Sequence, residues 1–278
     1  MEPSGLLERL LADEDLLKAI ELLGAEGQTD GRKSKKLREV AGFCEVILSY
    51  VRRFLAKKDP LRVVEFSCGK SYLGIVLVLL LEELEHKRAQ LVGVDVNARL
   101  VDKCRRLGEA VGLREAAFVA SRTLEFRWDE GFDLVVALHA CDTATDEAIA
   151  KGIQLGAPLI LAVPCCQNQI RGQIKSGHPL TAMTDFGPVR YRLADLLTDT
   201  LRAQFLRSAG YHVEMVEIES PRLTPKNLCI CARKSKRATA GTRDEGYRML
   251  RSFFHVKPKL EQFCPGIIRG DEGPEAGA

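Results

Sequence analysis

The feature that most restricts the fold of this chain is a strand, a tight turn, a helix and a second strand between residues 63 and 95. An apolar run leads through the turn Ser67 to Ser71 into an apolar helix, Tyr72 to Leu84. A second, mostly apolar run, Leu91 to Val96, has an acid near its end, Asp95, which lies 30 positions after Glu65. In a parallel sheet such a turn approaches a nucleotide, and the acid after the second strand accepts hydrogen bonds from ribose hydroxyls. The pattern therefore predicts a nucleotide site at the carboxyl edge of the sheet.

The glycine content of this turn restricts the ligand. A dinucleotide site needs G-x-G-x-x-G so that bare backbone can approach a pyrophosphate, whereas residues 67–71 contain Gly69 alone. Gly69, Lys70 and Ser71 also match the end of a P-loop, but the position five residues before Gly69 is Val64, inside the predicted strand. An adenosine ligand without phosphates, such as S-adenosylmethionine, suits this turn better. An ordinary turn without a ligand is the alternative.

Length and composition favour an intracellular enzyme. A chain of 278 residues can form one α/β domain with extensions. No apolar run reaches the length that spans a membrane, and the acidic N-terminal stretch lacks the pattern of a signal peptide. Nine scattered cysteines, an odd number, do not indicate a disulfide framework. We therefore expect no membrane partner and a cytoplasmic location, with the nucleus as the alternative.

The charge is unevenly distributed. Residues 1–30 are mainly acidic, and two basic regions follow. The first contains Arg32, Lys33, Lys35, Lys36, Arg38, Arg52, Arg53, Lys57 and Lys58, and the second, between Arg222 and Lys259, includes Arg233, Lys234, Lys236 and Arg237. Basic clusters on both sides of a ligand-binding domain can hold RNA. Two solvated surfaces are the alternative.

The periodicity of apolar residues predicts alternating strands and helices. Two helices, 5–23 and 34–57, precede strands at 62–67, 90–95, 116–120, 133–138 and 158–163, with helices at 71–85, 98–111 and 143–154 between them. An irregular segment, 165–188, leads to a helix at 190–209, two strands at 211–219 and 227–233, and a helix at 244–254. Near-continuous apolar strands indicate a parallel sheet covered on both faces, and the last two strands form an antiparallel hairpin.

Five phrases of the sequence resemble a family of known proteins. They are Glu65-Phe66-Ser67-Cys68-Gly69-Lys70-Ser71-Tyr72-Leu73, Gly93-Val94-Asp95-Val96-Asn97, Leu138-His139-Ala140-Cys141-Asp142-Thr143-Ala144-Thr145-Asp146, Val163-Pro164-Cys165-Cys166-Gln167 and Thr224-Pro225-Lys226-Asn227-Leu228. Together, over roughly residues 35–234, they resemble class I S-adenosylmethionine-dependent methyltransferase domains. The third and fourth phrases are also similar to those of eukaryotic 2′-O-methyltransferases of the tRNA acceptor stem, although the additional domains of those enzymes have no counterpart here.

The resemblance implies an α/β fold, a Rossmann-like seven-stranded sheet with an antiparallel last hairpin and a helical N-terminal extension. It divides the chain into the extension 1–60, the methyltransferase domain 61–236 and a basic C-terminal extension 237–278 with a disordered tail. It also implies S-adenosyl-L-methionine as cofactor and RNA, specifically tRNA, as the expected acceptor. The cofactor-binding residues are then Glu65, Ser67, Cys68, Gly69, Lys70, Asp95, Val96, Ser121 and Arg122.

Within that site each residue type has an expected role. Glu65 orients the turn or meets the amino group of the methionine moiety, and Lys70 faces its carboxylate or is a solvated lysine at the helix start. Asp95 accepts from the ribose hydroxyls. Ser121 and Arg122 follow the third strand, where such enzymes contact the adenine, and a plain loop is the alternative there.

The expected catalytic residues are His139, Asp142 and Cys165. His139 and Asp142 follow the fourth strand, where the acceptor must lie in line with the sulfonium methyl, and either can act as a base or position the substrate. Asp142 also suits the N-cap of the next helix. Cys165 and Cys166 are expected to shape the acceptor pocket, with hydrogen bonds from Gln167 and Asn168.

Two alternatives concern the cysteines. One is a nucleophile like that of RNA 5-methylcytosine enzymes, but Cys141 follows Ala140 rather than the proline of their Pro-Cys element. The other is a metal site with His139, Cys141, Cys165 and Cys166. We expect no metal, because side chains of adjacent cysteines are expected to diverge and the chain has no C-x-x-C pair. Cys229 and Cys231 alternate along the last strand and are expected in the core.

Protein or small-molecule methylation and a non-catalytic cofactor-binding scaffold are the remaining alternatives to RNA methylation.

Overall fold

The chain folds around one seven-stranded sheet. The computed structural model describes residues 12–21, 31–174, 178, 180–218, 227–235 and 244–268, and for residues 31–34 it describes only the backbone. The strands are β1 (Leu61–Phe66), β2 (Ala89–Asp95), β3 (Ala116–Ala120), β4 (Leu134–Leu138), β5 (Leu159–Val163), β6 (Tyr211–Glu217) and β7 (Leu228–Lys234). Every predicted strand is present, with ends within two residues of those expected.

The strand order explains where a ligand can bind. It is β3-β2-β1-β4-β5-β7-β6, with the first five strands parallel and β7 antiparallel to both neighbours. The connections turn one way from β1 to β2 and β3, and the other way from β4 to β5. Parallel sheets bind ligands beyond the carboxyl ends of their strands at such a reversal. The fold is the predicted Rossmann-like methyltransferase sheet with an antiparallel final hairpin.

Helices cover both faces of the sheet. They are α1 (Glu14–Ala19), α2 (Gly31–Phe54), α3 (Tyr72–Glu85), α4 (Ala98–Ala110), α5 (Thr143–Gln154), α6 (Asn168–Arg171), α7 (Thr181–Thr184), α8 (Gly187–Ser208), α9 (Glu245–Phe253) and α10 (Lys259–Phe263). Helices α1–α4 contribute to the apolar core on one face, and α5, α8, α9 and α10 to the core on the other. Because both faces are covered, β1, β4 and β5 are almost fully buried, and β4 and β5 are entirely apolar.

The structure departs from the expected elements mainly between and after the core strands. The segment 165–188, expected to be irregular, contains α6 and α7. Residues 244–268, which the sequence assigns to the C-terminal extension, pack on the second face through the buried side chains of Tyr247, Phe254 and Leu260. The predicted helix 5–23 is described only as α1 within 12–21, and the predicted disordered tail lies outside the described residues.

Candidate active site

The turn after β1 has left-handed backbone conformations, which residues other than glycine rarely adopt. Ser67, Gly69 and Ser71 have φ angles of 53°, 56° and 50°. The backbone N–H of Cys68 donates to the carbonyl of Val94 at 3.1 Å, which fixes the turn against β2. A Cβ atom at Gly69 would meet nothing within 4 Å. Gly69 therefore presents bare backbone to open space, as a turn that receives a ligand requires.

Glu65 fixes this turn through hydrogen bonds to the residues that follow it. Its side chain is buried, and Oε2 accepts from the Ser71 hydroxyl at 2.5 Å and from the Gly74 N–H at 3.1 Å. A Cβ at Gly74 would lie 2.6 Å from the same oxygen, so the carboxylate needs glycine there. Burial raises the pKa of Glu65 to about 7. Glu65 thus orients the turn, the first of its two expected roles; contact with the cofactor's amino group stays a prediction.

Asp95 connects the turns that follow β1 and β2. Its Oδ2 accepts from the N–H of Gly69 and its Oδ1 from the N–H of Asn97, both at 2.9 Å. Each carboxylate oxygen retains a second lone pair that a ribose hydroxyl can use. Val96, directly beside it, is 71% exposed, which leaves an apolar side chain uncovered at the same edge.

The remaining predicted cofactor residues lie at the neighbouring strand ends. The N–H of Ser121 donates to the Asp95 carbonyl at 3.0 Å, so the loop after β3 is fixed to the end of β2. The exposed side chain of Arg122 lies 3.8 Å from Glu125. The ammonium of Lys70 lies 5.6 Å from the ring centroid of Tyr72. The structure therefore brings the predicted cofactor residues to one edge of the sheet, and their contacts with the cofactor stay predictions.

The sequence did not indicate that Glu39 of α2 would reach His139 in the loop after β4. His139 has a left-handed φ of 57°, and its Nε2 lies 3.4 Å from Oε2 of Glu39. Its Nδ1 is buried and has no hydrogen-bond partner among the described residues. Burial opposes ionisation of Glu39, but His139 and two lysines outweigh it and hold the pKa of Glu39 below its ordinary value. Glu39 stands out in the sequence only as the one acid within residues 31–44.

Asp142 occupies the expected N-cap position of α5, but its side chain does not cap the helix. Its side chain makes no capping hydrogen bond, and its backbone has φ 53° and ψ −115°. Its Oδ1 instead accepts from the backbone N–H of Gln169 at 3.0 Å. The carboxylate therefore joins the loop after β4 to the start of α6, because the two loops lie side by side at the carboxyl edge. The expected role of Asp142 as base or substrate-positioning residue stays a prediction.

A buried arginine holds these two loops together. Arg202 of α8, 2% exposed, contacts Asp146 at 2.8 Å and Asp199 at 3.0 Å, and donates to the carbonyl of Asp142 at 2.8 Å. Asp199 in turn accepts from the side-chain amide of Gln167, after β5, at 3.1 Å. Gln167 is therefore buried in this network, and the expectation that it bonds the acceptor is wrong. In the sequence, this network is indicated by an acid and a base that stand three residues apart, Asp199 and Arg202. The structure shows that the residues next to them in α8 are mostly buried.

Three cysteine sulfur atoms converge above the ends of β4 and β5. The Sγ atoms of Cys141 and Cys165 are 3.5 Å apart, and those of Cys165 and Cys166 are 3.6 Å apart. All three lie within 4.8 Å of one another, with Cys141 exposed and the other two partly exposed. Burial is the largest of the influences that raise the pKa of Cys165. The expectation that the side chains of adjacent cysteines diverge is therefore wrong here.

The described basic residues lie at opposite edges of the sheet. Lys35 and Lys36 each approach Glu39 to 3.9 Å, which places them at the carboxyl edge. Arg233 pairs in register with Leu159, the first residue of β5, and its guanidinium lies 4.7 Å from the ring of Phe54. Arg233 is thus at the amino edge, as is its neighbour Lys234, because β7 runs antiparallel to β5. Arg233 and Lys234 therefore lie away from Lys35 and Lys36 and from the carboxyl edge. Arg222, Lys236 and Arg237 lie outside the described residues.

Comparison with known proteins identifies the family. The sheet order, the turn after β1 and the acid after β2 are those expected of the class I methyltransferase fold. Residues 35–173 match the protein family described as "Methyltransferase domain", half of the chain. The chain therefore belongs to this family. Within the described residues no helix is both long and apolar enough to cross a membrane.

Relatives resemble the chain over part of their length. It is 26% identical over 198 residues to the glutathione S-transferase C-terminal domain-containing proteins of Homo sapiens and Macaca fascicularis, a match that covers 61% of this chain and 29% of each relative. The chain thus corresponds to less than a third of these curated relatives.

Solved structures of methyltransferases resemble the chain at low identity. Magnesium protoporphyrin IX methyltransferase of Synechocystis, with bound S-adenosylhomocysteine, is 14% identical with a TM-score of 0.46, covering 81% of this chain and 94% of that one. An rRNA methylase of Streptococcus thermophilus is 12% identical with a TM-score of 0.44, covering 69% and 96%.

Proposed function

We propose that S-adenosylmethionine binds across the carboxyl ends of β1, β2 and β3 and delivers its methyl group to RNA held above β4 and β5. The single observation that best supports this placement is Asp95, which joins the turns after β1 and β2 through the N–H groups of Gly69 and Asn97. A carboxylate fixed in this way is already positioned when a ribose arrives, so binding does not have to order it.

The other cofactor residues complete this arrangement in the proposal. Ser67, Cys68 and Gly69 face the methionine moiety with backbone, and Lys70 faces its carboxylate. Val96 packs against the nucleoside, because its exposed apolar side chain lies directly beside Asp95. Ser121 and Arg122 border the adenine, since their loop is hydrogen-bonded to the end of β2.

The acceptor lies between the loops that carry His139 and Cys165. Methyl transfer needs the acceptor atom in line with the sulfonium–methyl bond, and a hydroxyl acceptor must also lose its proton. His139, oriented by Glu39 at 3.4 Å, is the proposed residue that acts as base or positions the substrate. Asp142 positions the loop through Gln169, and Cys165 forms part of the pocket wall.

RNA is the proposed acceptor, with a ribose 2′-hydroxyl of tRNA as its most concrete form. Lys35 and Lys36 support it, because they lie at the carboxyl edge where phosphates would approach. We place the enzyme in the cytoplasm, where tRNA occurs and thiols stay reduced. A protein or small-molecule acceptor is the second candidate, favoured by the position of Arg233 and Lys234 at the opposite edge.

The test is transfer of labelled methyl groups from S-adenosylmethionine into fractionated RNA, protein and small metabolites. Label should enter the tRNA fraction and survive alkaline hydrolysis in a dinucleotide, because a methylated 2′-oxygen cannot attack the adjacent phosphate. The double variant Lys35→Gln with Lys36→Gln should reduce labelling of RNA and leave cofactor affinity unchanged. Label confined to protein or to small molecules would exclude RNA and leave methyl transfer itself intact.

A further inference from the structure

We propose that Cys141, Cys165 and Cys166 bind one zinc ion, with the fourth coordination position open to solvent. The three residues come from two loops, one after β4 and one after β5, that meet at the carboxyl edge. This site revises the expectation from sequence that the chain uses no metal. Its existence does not depend on which acceptor the enzyme methylates, and zinc binding is measured without turnover.

The spacing of the sulfur atoms fits tetrahedral zinc. A Zn–S bond of about 2.3 Å places two sulfur ligands of a tetrahedron roughly 3.8 Å apart. The two measured Sγ–Sγ distances are 3.5 Å and 3.6 Å, and no pair in the cluster exceeds 4.8 Å. These two distances lie within a few tenths of an ångström of the tetrahedral value, and the third exceeds it by at most about 1 Å, so side-chain adjustments of that size bring the three thiolates around one ion.

The exposure of the cluster distinguishes it from cysteines that merely fill the core. Cys141 is exposed, and Cys165 and Cys166 are partly exposed, so an ion can enter from solvent. Cys229 and Cys231 offer a comparison within the same chain, since their sulfur atoms are 3.4 Å apart but both side chains are buried. Among the described residues, no third potential metal ligand lies close enough to Cys229 and Cys231 to form a cluster of three with them.

The two loops are fixed before any ion arrives. His139 and Asp142, on either side of Cys141, both have positive φ, a strained conformation for residues other than glycine. Arg202 holds this strained loop through the Asp142 carbonyl, and holds the other loop through Asp199 and Gln167. A buried network that positions ligand-bearing loops is the usual support of a metal site.

The fourth position is inferred from the ligands that the structure brings together. Among the described residues the cluster contains three sulfur ligands and no imidazole or carboxylate within 4.8 Å of all of them. Zinc with three protein ligands binds water or a substrate atom in the remaining position. If the acceptor binds as proposed above, the open coordination position faces it. This orientation rests on the proposed function, whereas the existence of the zinc site does not.

Zinc titration of the whole chain tests the site. After treatment with a chelator, the protein is kept in a phosphine reductant and titrated with zinc in competition with a chromophoric chelator. We expect one equivalent to bind, and each of Cys141→Ser, Cys165→Ser and Cys166→Ser to weaken its affinity on the order of 100-fold or more. Cys231→Ala, which removes a buried thiol, is the matched control and should leave zinc affinity unchanged.

Cobalt substitution reports the coordination geometry. Bound Co²⁺ should show thiolate charge-transfer absorption that decreases in each single variant, and addition of a small monothiol should change the spectrum by occupying the fourth position. Cys141 is exposed, so its variant stays informative even where the other two reduce folding. Unchanged zinc affinity in Cys141→Ser, or an equal loss in Cys231→Ala, would each overturn the site. An unchanged cobalt spectrum with the monothiol would overturn the open position.

Discussion

Glu65 provides the most quantitative test of the structure, because burial separates its pKa from that of an exposed glutamate. Its pKa is about 7, against an ordinary value of 4.5, a difference of about 2.5 units. At 1.36 kcal/mol per unit, this corresponds to roughly 3 kcal/mol between the two protonation states. The folded protein binds the Glu65 proton more tightly than the unfolded chain does. Its contribution to stability is therefore fully present below pH 4.5 and is lost as the pH rises through 7.

The substitution Glu65→Gln isolates this contribution. The amide oxygen of glutamine can still accept from Ser71 and Gly74, while the side chain no longer titrates. We expect the stability of the variant, relative to the natural chain, to increase by about 3 kcal/mol between about pH 4.5 and pH 7.5. Taking the difference between the two proteins cancels the titration of all other groups.

The assay is urea unfolding of the cofactor-free protein at several pH values across this window, with the free energy of unfolding taken from each transition. Glu82→Gln, at an exposed position on α3, is the matched control for replacing a glutamate carboxyl by an amide. If Glu65→Gln behaves like that control, Glu65 titrates as an exposed carboxyl. The structural role given to its burial would then be wrong.

Three further predictions concern the cofactor, the buried network and the acceptor. Asp95→Ala should weaken S-adenosylmethionine binding by roughly 2 kcal/mol, about 30-fold in Kd by calorimetry, because it removes charge-assisted hydrogen bonds. Arg202→Met should lower the free energy of unfolding by about 3–5 kcal/mol, since it removes the guanidinium that pairs with two buried carboxylates. Lys35→Gln with Lys36→Gln should make the log–log slope of tRNA affinity against salt shallower by about 0.7–0.9 for each phosphate that the protein no longer neutralises.

Each of these predictions has a control at a comparable residue elsewhere in the chain. Asp102→Ala, in an exposed pair on α4, should leave cofactor affinity unchanged. Arg52→Met removes an ion pair whose arginine is 46% exposed and should cost about 1 kcal/mol or less. Arg233→Gln with Lys234→Gln, at the opposite edge, should not alter the salt slope. If a control matches its test variant, the role assigned to the tested residue is contradicted.

Local sequence patterns predicted the fold well because the interactions that produce them are local. The helix expected at 143–154 is α5, Thr143–Gln154, and the strand expected at 116–120 is β3. Apolar runs of strand length indicated strands buried on both faces, and the prediction that Cys229 and Cys231 lie in the core is confirmed. The short helices α6 and α7 were missed because segments of four residues carry too little periodicity.

The sequence by itself determined the class of protein and the edge of the sheet at which Glu65 and Asp95 lie. Both could be predicted because the residues that end each strand and form the next turn are adjacent in the sequence. Tertiary structure alone decided which distant side chains meet there. Glu39 reaches His139 only because α2 packs across the sheet, and Arg202 joins the loops after β4 and β5 only because α8 covers their face. The approach of Cys141 to Cys165 likewise depends on parallel pairing of β4 with β5. Such contacts follow from packing between elements far apart in sequence, which no local pattern encodes.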